Sequence, residues 1–198
     1  MHNALIILSG GIGKRLSNNQ NIPKQYIKIG STNIIEYFLE NLEKEIFDII
    51  VIVCKKKMKN KYLDNLRNNF NWHNIYITES GYNRQESSKK GVYFLKKFMP
   101  KKILIHDAAR PLANNKLIKR IIYTLDKYKS CAPYTINHDY IKCDLKKYNL
   151  NENKIKFIQT PQGFIYKRIL KAHIQNNNFN AKDDTILTEN IGIKTKLI

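Results

Sequence analysis

The sequence predicts an α/β fold in which a mostly parallel, doubly wound sheet carries a projecting arm. Short apolar runs alternate with amphipathic helical patterns along much of the chain, an order that produces right-handed β-α-β units. The runs are short and mostly apolar, as in strands buried on both faces of a parallel sheet. A polar stretch over residues 137–156 breaks the alternation and is too long for an idle loop. We therefore expect a single domain over residues 1–198 with an arm at about 137–156.

The predicted strands and helices follow one another in a regular order. Apolar runs mark strands at residues 4–8, 49–53, 75–78 and 103–106. Apolar side chains recur every three or four residues, which indicates helices, at 35–42, 58–70 and 92–98. Asn33 and Glu36 have the spacing of a capping box at the start of the first helix. The same reasoning predicts a helix at 117–125, strands at 131–136 and 155–158, a helix at 166–174 and a last strand at 193–198.

The chain is strongly basic, with 35 Lys and Arg against 16 Asp and Glu and a net charge of +19. This charge favours anionic ligands and raises the alternative of a non-catalytic nucleotide- or RNA-binding protein. Most of the excess is Lys, however, and it accompanies abundant Asn and Ile, the residues that A/T-rich codons favour. Proteins that read nucleic acid concentrate Arg and interleave aromatic side chains. We therefore expect no nucleic-acid partner, and we interpret the lysines from Lys55 to Lys61 as a solvated helix face.

No apolar segment of the sequence is long enough to span a membrane, because the longest run covers only residues 49–54. The N-terminus lacks a basic region before its apolar residues, so we expect no secretion signal. Three cysteines without a C-x-x-C pair and five histidines without metal-binding spacing argue against disulfides and against zinc. These features predict a cytoplasmic protein with no membrane partner.

The first predicted strand runs into a glycine-rich turn with the sequence SGGIGKRL at residues 9–16. Glycine lets backbone amides approach phosphate oxygens without obstruction from a Cβ atom. The turn is not a Rossmann fingerprint, because Leu16 stands where the third glycine belongs. It is not a Walker loop either, because Arg15 follows Gly13 and Lys14 where Ser or Thr is required. What remains is a phosphate-binding turn with cations at its mouth.

Several sequence blocks carry a family resemblance. In chain order they read SGGIGKRL, IPKQYIKIG, GYNRQES, ILIHDAARP and IQTPQGF. Together they resemble the 2-C-methyl-D-erythritol 4-phosphate cytidylyltransferase family over nearly the whole chain. Relatives that act on other alditol phosphates, such as ribitol 5-phosphate, share most of these blocks, so that acceptor stays an alternative. The resemblance implies a Rossmann-like nucleotidyltransferase fold, a cytoplasmic homodimer, CTP as donor, a divalent cation such as Mg²⁺, and a role in non-mevalonate isoprenoid biosynthesis.

The resemblance also implies roles for residues at the glycine turn. The triphosphate cradle corresponds to Ser9, Gly10, Gly11 and Gly13. The catalytic pair corresponds to Arg15 and Lys24. Attack of a phosphate oxygen on the α-phosphorus of CTP builds negative charge around one phosphorus atom, and a bridging Arg and a compact Lys stabilise such charge.

The later blocks correspond to the rest of the site. Gly81, Arg84 and Ser87 match the residues that frame the cytosine, although Ser87 could equally be the N-cap of the next helix. Asp107 follows an apolar strand, where open α/β sheets bind ligands, and matches the magnesium ligand. Thr160 matches a residue that faces the acceptor, and Arg110 either orients the Asp107 loop or contacts phosphate.

The chain departs from the family pattern on the acceptor side. Tyr140 stands where the family usually has Thr, and Glu152 stands where it commonly has an Arg that enters the partner's site. The family's T-D-D block appears as Lys182-Asp183-Asp184. The sequence stops at Ile198, where the family continues into a segment with another acceptor-binding Lys, so we expect a chain truncated relative to the family or an incomplete acceptor site.

Overall fold

The computed structural model describes residues 3–11, 23–58, 74–136, 155–176 and 180–198. Its strands are β1 (Asn3–Ser9), β2 (Lys28–Ile29), β3 (Thr32–Asn33), β4 (Ile49–Cys54), β5 (Ile75–Glu79), β6 (Lys102–Asp107), β7 (Ser130–Ala132), β8 (Tyr134–Ile136), β9 (Lys156–Ile158), β10 (Gln162–Ile165) and β11 (Lys196–Leu197). Its α-helices are α1 (Ile34–Glu40), α2 (Arg84–Phe94), α3 (Asn115–Thr124), α4 (Tyr166–Gln175) and α5 (Asp184–Glu189). Short 3-10 helices cover Lys24–Tyr26, Lys44–Ile46 and Leu95–Lys97.

Within these described residues, the central sheet has seven strands in the order β11-β7-β10-β6-β1-β4-β5. β1 pairs in parallel with β4 and β6, β4 pairs in parallel with β5, and β11 pairs in parallel with β7. β10 runs antiparallel to both β6 and β7. The prediction of a mostly parallel α/β sheet is therefore confirmed.

The sheet is covered by helices on both faces because β1 alternates its side chains between two apolar cores. Leu5 and Ile7 belong to the core that includes residues of α1 and α3. Ala4 and Ile6 belong to the core that includes residues of α2, α4 and α5. All four side chains are fully buried, as expected for the central strand of a doubly wound sheet.

Local sequence signals place several element ends correctly. Asn33 caps α1, and Glu36 returns a hydrogen bond to the Asn33 backbone, which confirms the capping box. The predicted helix at 92–98 is longer than expected, because α2 already begins at Arg84. Of the predicted helix at 58–70, only its first residue lies among the described residues, where 56–58 are helical.

The predicted strand at 131–136 is wrong as a single element. Pro133 divides it into β7, which belongs to the central sheet, and β8, which pairs with β9 in a separate two-stranded ribbon. Proline lacks the N–H group that a continuous ladder requires, so the division falls at this residue. β10 was not predicted, because Gln162 and Gly163 interrupt the apolar pattern by which the other strands were recognised.

The antiparallel ribbon of β8 and β9 flanks the predicted arm. Residues 137–154 lie outside the described residues, so the arm itself stays a prediction. No described helix has the length and apolar character needed to cross a membrane.

Candidate active site

A cavity of about 610 Å³ opens at the edge of the sheet where the parallel strands end. The segments that follow β1, β4 and β5 and the end of β6 contribute to its wall. β1 lies between β4 and β6, so the chain proceeds to opposite sides of it, and open α/β sheets bind ligands at such a switch point. Residues predicted from the sequence line the cavity at Gly10, Gly11, Gly81, Arg84, Ser87 and Asp107.

The glycine loop, residues 9–11, is held by the segment that follows it in the fold. The Gln25 side chain donates from Nε2 to the carbonyl oxygens of Ser9 at 2.7 Å and Gly11 at 2.9 Å. The Ser9 hydroxyl donates to Tyr26 Oη at 2.7 Å. Ser9 is buried, so its side chain supports the loop, whereas Gly10 and Gly11 lie on the cavity wall.

Two glycines are required because loops approach each other closely at the cavity. A Cβ atom on Gly10 would lie 2.4 Å from Cβ of Ser80, which follows β5. A Cβ atom on Gly81 would lie 2.1 Å from Cγ of Glu86 and 2.8 Å from its carbonyl carbon. Only glycine permits these contacts, which pack the loop after β1 against the loop after β5 and the loop after β5 against α2.

Ser87 lies inside the first turns of α2 rather than at its cap. Asn83 is the N-cap, because its side-chain oxygen accepts from the Glu86 backbone N–H at 2.8 Å. The alternative that Ser87 caps this helix is therefore wrong. The Ser87 hydroxyl accepts from the Gly81 N–H at 3.0 Å and donates to the Asn83 carbonyl at 2.8 Å. This pair of bonds fixes the loop that carries Gly81 on the cavity wall.

Arg84 bridges two carboxylates that come from distant parts of the chain. Its Nη1 lies 2.6 Å from Oδ2 of Asp184, and its Nε lies 3.3 Å from Oδ1 of Asp107. Burial would lower the pKa of the Arg84 guanidinium, but the charges of Asp184 and Asp107 outweigh it and raise that pKa above its usual range. Arg84 is therefore a permanent cation that ties α2 to β6 and α5.

Asp184 is the buried end of this bridge, with its side chain only 1% exposed. Its Oδ1 accepts from the Ser88 hydroxyl at 2.6 Å and lies 3.5 Å from Nε2 of His173. Burial alone would raise the pKa of the Asp184 carboxyl, but Arg84, His173 and Ser88 together hold it well below its usual range. Asp184 is therefore ionised in the folded protein at neutral pH.

Asp107 presents the one carboxylate among the described residues that line the cavity. Besides Arg84, Nε of Arg110 lies 3.6 Å from its Oδ2, and Arg110 also bonds to the Gln159 side chain. Among the described residues, no three His, Cys, Asp or Glu side chains cluster in a way that could hold a metal ion. A hard cation at Asp107 would therefore need most of its ligands from phosphate oxygens and water, which is the usual way Mg²⁺ is held.

A chain of hydrogen bonds fixes the backbone around Asp107. Burial lowers the pKa of His106 to about 4, although the Arg110 carbonyl and Asp107 act to raise it. His106 is therefore neutral at pH 7. The Arg110 carbonyl lies 2.9 Å from His106 Nε2 and can only accept, so Nε2 carries the proton. Nδ1 of His106 then accepts from the Thr160 hydroxyl at 3.0 Å, and that hydroxyl accepts from the Asp107 N–H at 3.2 Å. Thr160 thus supports the Asp107 loop from a buried position.

The other predicted residues are brought to the site only in part. Gly13 and Arg15 lie outside the described residues. Lys24 begins the 3-10 helix that contains Gln25, so its backbone lies beside the glycine loop. Lys56 and Lys57 are exposed as expected, but Lys55 is half-buried and lines the cavity, which the prediction of a solvated run missed.

Sequence reasoning also missed Gln25 and Asp184. Gln25 stands inside a recognised block, yet its role depends on carbonyl groups that lie 14 and 16 residues away. Asp184 bonds to Arg84 across 100 residues. Its one sequence signal was the pair of acids at 183 and 184, where Asp183 caps α5 and Asp184 turns inward.

Replacing Asp184 with Asn should destabilise the protein by about 3 kcal/mol at pH 7, because it leaves the Arg84 charge without its buried partner. Urea unfolding measures this change. Glu43→Gln is the control, since it breaks an ion pair with Lys119 in which both side chains are 47% exposed. Exposed pairs contribute about 0 to 1 kcal/mol.

The effect of Asp184→Asn should depend on pH. The folded pKa of Asp184 is depressed, so its stabilisation is complete above the ordinary Asp pKa of about 3.9 and is lost as the pH falls from there through the folded value. The stability gap between the native protein and the variant should therefore be constant from about pH 5 to pH 8 and shrink in acid. A gap that stays constant below pH 4 or so would contradict the ionised assignment.

Known proteins are similar to this chain over nearly its whole length. The family model described as IspD, 2-C-methyl-D-erythritol 4-phosphate cytidylyltransferase, matches residues 3–198. The 2-C-methyl-D-erythritol 4-phosphate cytidylyltransferase of Clostridioides difficile is 33% identical, over 98% of this chain and 84% of its own length. The enzyme of the same description from Clostridium acetobutylicum is 32% identical, over 98% of this chain and 87% of its own.

Solved structures show the same fold. The crystal structure of 4-diphosphocytidyl-2C-methyl-D-erythritol synthase from Anaerococcus prevotii has a TM-score of 0.85 at 25% identity and covers all of this chain and 86% of its own. The bifunctional IspDF of Campylobacter jejuni has a TM-score of 0.80 at 28% identity, with all of this chain matching 49% of that one. From the family model and these relatives, the chain belongs to the 2-C-methyl-D-erythritol 4-phosphate cytidylyltransferase family and is a nucleotidyltransferase.

Proposed function

We propose that the protein transfers the cytidylyl group of CTP to 2-C-methyl-D-erythritol 4-phosphate. The products are 4-diphosphocytidyl-2-C-methyl-D-erythritol and pyrophosphate, and the reaction belongs to non-mevalonate isoprenoid biosynthesis. The observation that carries the proposal is the cavity at the switch point, which a glycine loop and a carboxylate both line in a chain of this family. A strongly basic chain suits two anionic substrates, CTP and the alditol phosphate.

The reaction needs charge stabilisation more than a covalent intermediate. An acceptor phosphate oxygen forms a bond to the α-phosphorus of CTP, and the bond to the pyrophosphate oxygen breaks on the opposite side. Negative charge grows on the α-phosphate oxygens during this exchange. Backbone amides at Gly10 and Gly11, with Gly13 and a supporting Ser9, form the proposed triphosphate cradle, and Arg15 and Lys24 are the proposed cations at the α-phosphate.

The cytosine is proposed to lie against Gly81, Arg84 and Ser87, which share one wall of the cavity. The two carboxylate contacts of Arg84 use Nε and Nη1, and a guanidinium has five N–H donors. Arg84 therefore has donors beyond those two contacts. The proposed discrimination rests on hydrogen bonds to the base, because a wrong base would leave buried polar groups unpaired.

Magnesium is the proposed cofactor, and Asp107 is the residue that would hold it together with phosphate oxygens and water. The carboxylate chemistry fits a hard cation, although the nearby Arg84 and Arg110 compete for the same oxygens. When bound there, the cation supplies neutralisation of phosphate charge. Thr160 supports the Asp107 backbone in this scheme and is proposed to face the acceptor.

A pyrophosphate-release assay tests the proposed reaction. Purified protein with Mg²⁺ is supplied with each nucleoside triphosphate in turn, together with methylerythritol 4-phosphate, and only CTP should support turnover. Competition between equal concentrations of methylerythritol 4-phosphate and ribitol 5-phosphate then gives the ratio of kcat/KM values. A ratio of about tenfold in favour of ribitol 5-phosphate would reassign the acceptor. Absence of turnover with every pair would leave the binding-protein alternative.

Arg15→Ala and Lys24→Ala should each lower kcat by about two to three powers of ten, because each removes a preorganised cation from the α-phosphate. Lys57→Ala is the matched control, since it removes an exposed cation that is not among the residues lining the cavity and should leave kcat unchanged. Near-normal turnover of either active-site variant with saturating substrates would remove that residue from the α-phosphate.

Asp107→Asn should shift the Mg²⁺ concentration needed for half-maximal activity upward by about tenfold or more, since the variant loses a charged ligand. CTP binding without metal should change less, because the glycine loop remains. Asp126→Asn is the control, as it alters an ion-paired carboxylate that binds Lys102 outside the cavity. An unchanged metal titration in Asp107→Asn would exclude Asp107 as the ligand.

We also propose that the protein is a homodimer in which the arm at 137–156 exchanges with a second subunit. The support is the ribbon of β8 and β9, from which the chain leaves and returns. Sedimentation at micromolar concentration should show a dimer, and deletion of residues 140–152 should convert it to monomer. Monomer alone in the intact protein would contradict the exchange.

The proposed location is the cytoplasm, and no nucleic acid or membrane is proposed as a partner. Cys54 and Cys131 are buried and neither forms a disulfide, as expected where thiols stay reduced. Cell fractionation that recovers the protein with membranes or outside the cell would contradict this location.

A further inference from the structure

Gln25 makes two hydrogen bonds to the glycine loop with a single amide group. Its Nε2 donates to the Ser9 carbonyl at 2.7 Å and to the Gly11 carbonyl at 2.9 Å. A side-chain NH₂ group has two N–H donors, so this geometry uses each of them once. Gln25 is only 4% exposed, and bonds in such a place compete little with water.

These bonds set the direction of the peptide groups in the loop. In a trans peptide the C=O and the following N–H point in opposite directions. Because Gln25 draws the Ser9 carbonyl toward itself, the N–H of Gly10 points away from Gln25. Gly10 lies on the cavity wall, and its backbone amide is one of the groups that the proposed function assigns to the triphosphate.

The same contacts tie the loop to the backbone of Lys24. Gln25 and Tyr26 belong to the 3-10 helix Lys24–Tyr26, and the Ser9 hydroxyl donates to Tyr26 Oη at 2.7 Å. Burial, partly offset by the Ser9 hydrogen bond, raises the pKa of Tyr26 to about 12, so this hydroxyl stays neutral at working pH. These side-chain hydrogen bonds therefore join the 3-10 helix directly to the glycine loop.

We infer that Gln25 is a positioning residue, whose side-chain amide orients the glycine loop for the triphosphate and holds Lys24 beside it. The inference rests on the proposed function. Gln25 also lines the cavity, but its inferred role differs from those assigned there because the two bonds that carry it go to the loop carbonyls.

Comparison of two nucleotides separates this role from a merely structural one. CTP and CMP share the cytosine, the ribose and the α-phosphate, and only CTP carries the phosphates beyond the α position. A loop-positioning residue affects CTP binding selectively, whereas general damage to the fold weakens both nucleotides together. Calorimetric titration of the full chain with each nucleotide in the presence of Mg²⁺ gives the two dissociation constants.

Gln25→Glu keeps the size of the side chain and replaces the double donor with a carboxylate that faces two carbonyl oxygens. We expect Kd for CTP to rise by about tenfold or more and Kd for CMP to rise by less than about threefold. Without the two loop bonds, the loop amides are no longer oriented for the phosphates beyond the α position, and CMP has none of these. Gln25→Met, which is neutral and of similar length, should also raise the ratio of Kd for CTP to Kd for CMP.

Gln85→Glu is the matched control, because it makes the same change at another buried amide. Gln85 bonds to the Asn176 carbonyl and the Ala181 N–H, away from the glycine loop. The ratio of CTP to CMP affinity in the Gln85→Glu variant should equal that of the native protein.

Each outcome bears on a separate statement. Native protein that binds no CTP would overturn the proposed function. Native protein that binds CTP, together with Gln25 variants that keep the native affinity ratio, would overturn the positioning role alone. Failure of both Gln25 variants to fold, judged by thermal melting, would show that Gln25 serves the fold and would also overturn it.

Discussion

The burial of β1 on both faces is the constraint on which the rest of the structure depends. Its side chains from Ala4 to Ile7 are fully buried, so helices must cover both sides of the sheet. Its backbone groups are satisfied by parallel ladders with β4 and β6. Parallel pairing brings the carboxyl ends of these strands to one edge. The glycine loop, Lys55 and Asp107 meet at the cavity for this reason.

Above that edge, buried polar groups hold the loops in place by satisfying one another. Gln25 secures the glycine loop, the pair of Arg84 and Asp184 joins α2 to α5, and neutral His106 connects to the Asp107 loop through Thr160. Each group would cost free energy if left unpaired in the interior. These contacts therefore link the glycine loop, the start of α2 and the Asp107 loop to neighbouring elements.

Features that depend on residues close together along the chain were predicted correctly, and features that depend on distant residues were not. The capping box of Asn33 and Glu36 was predicted correctly because it involves residues within one turn. The strand over 131–136 was predicted as one element, although Pro133 separates its two halves into different sheets. The two readings of Ser87 could not be separated from sequence, because Asn83 and Ser87 are both residues that favour a helix start.

The sequence by itself determined the alternation of buried strands and helices, the glycine turn and the motif blocks that mark the family, because these depend on side-chain chemistry at short spacing. Only the tertiary structure decided that Asp184 faces Arg84 across 100 residues and that the Gln25 amide bridges two loop carbonyls. Such contacts form only when loops from separate strands meet in space. The spacing of residues along the chain does not indicate which buried donor bonds to which acceptor.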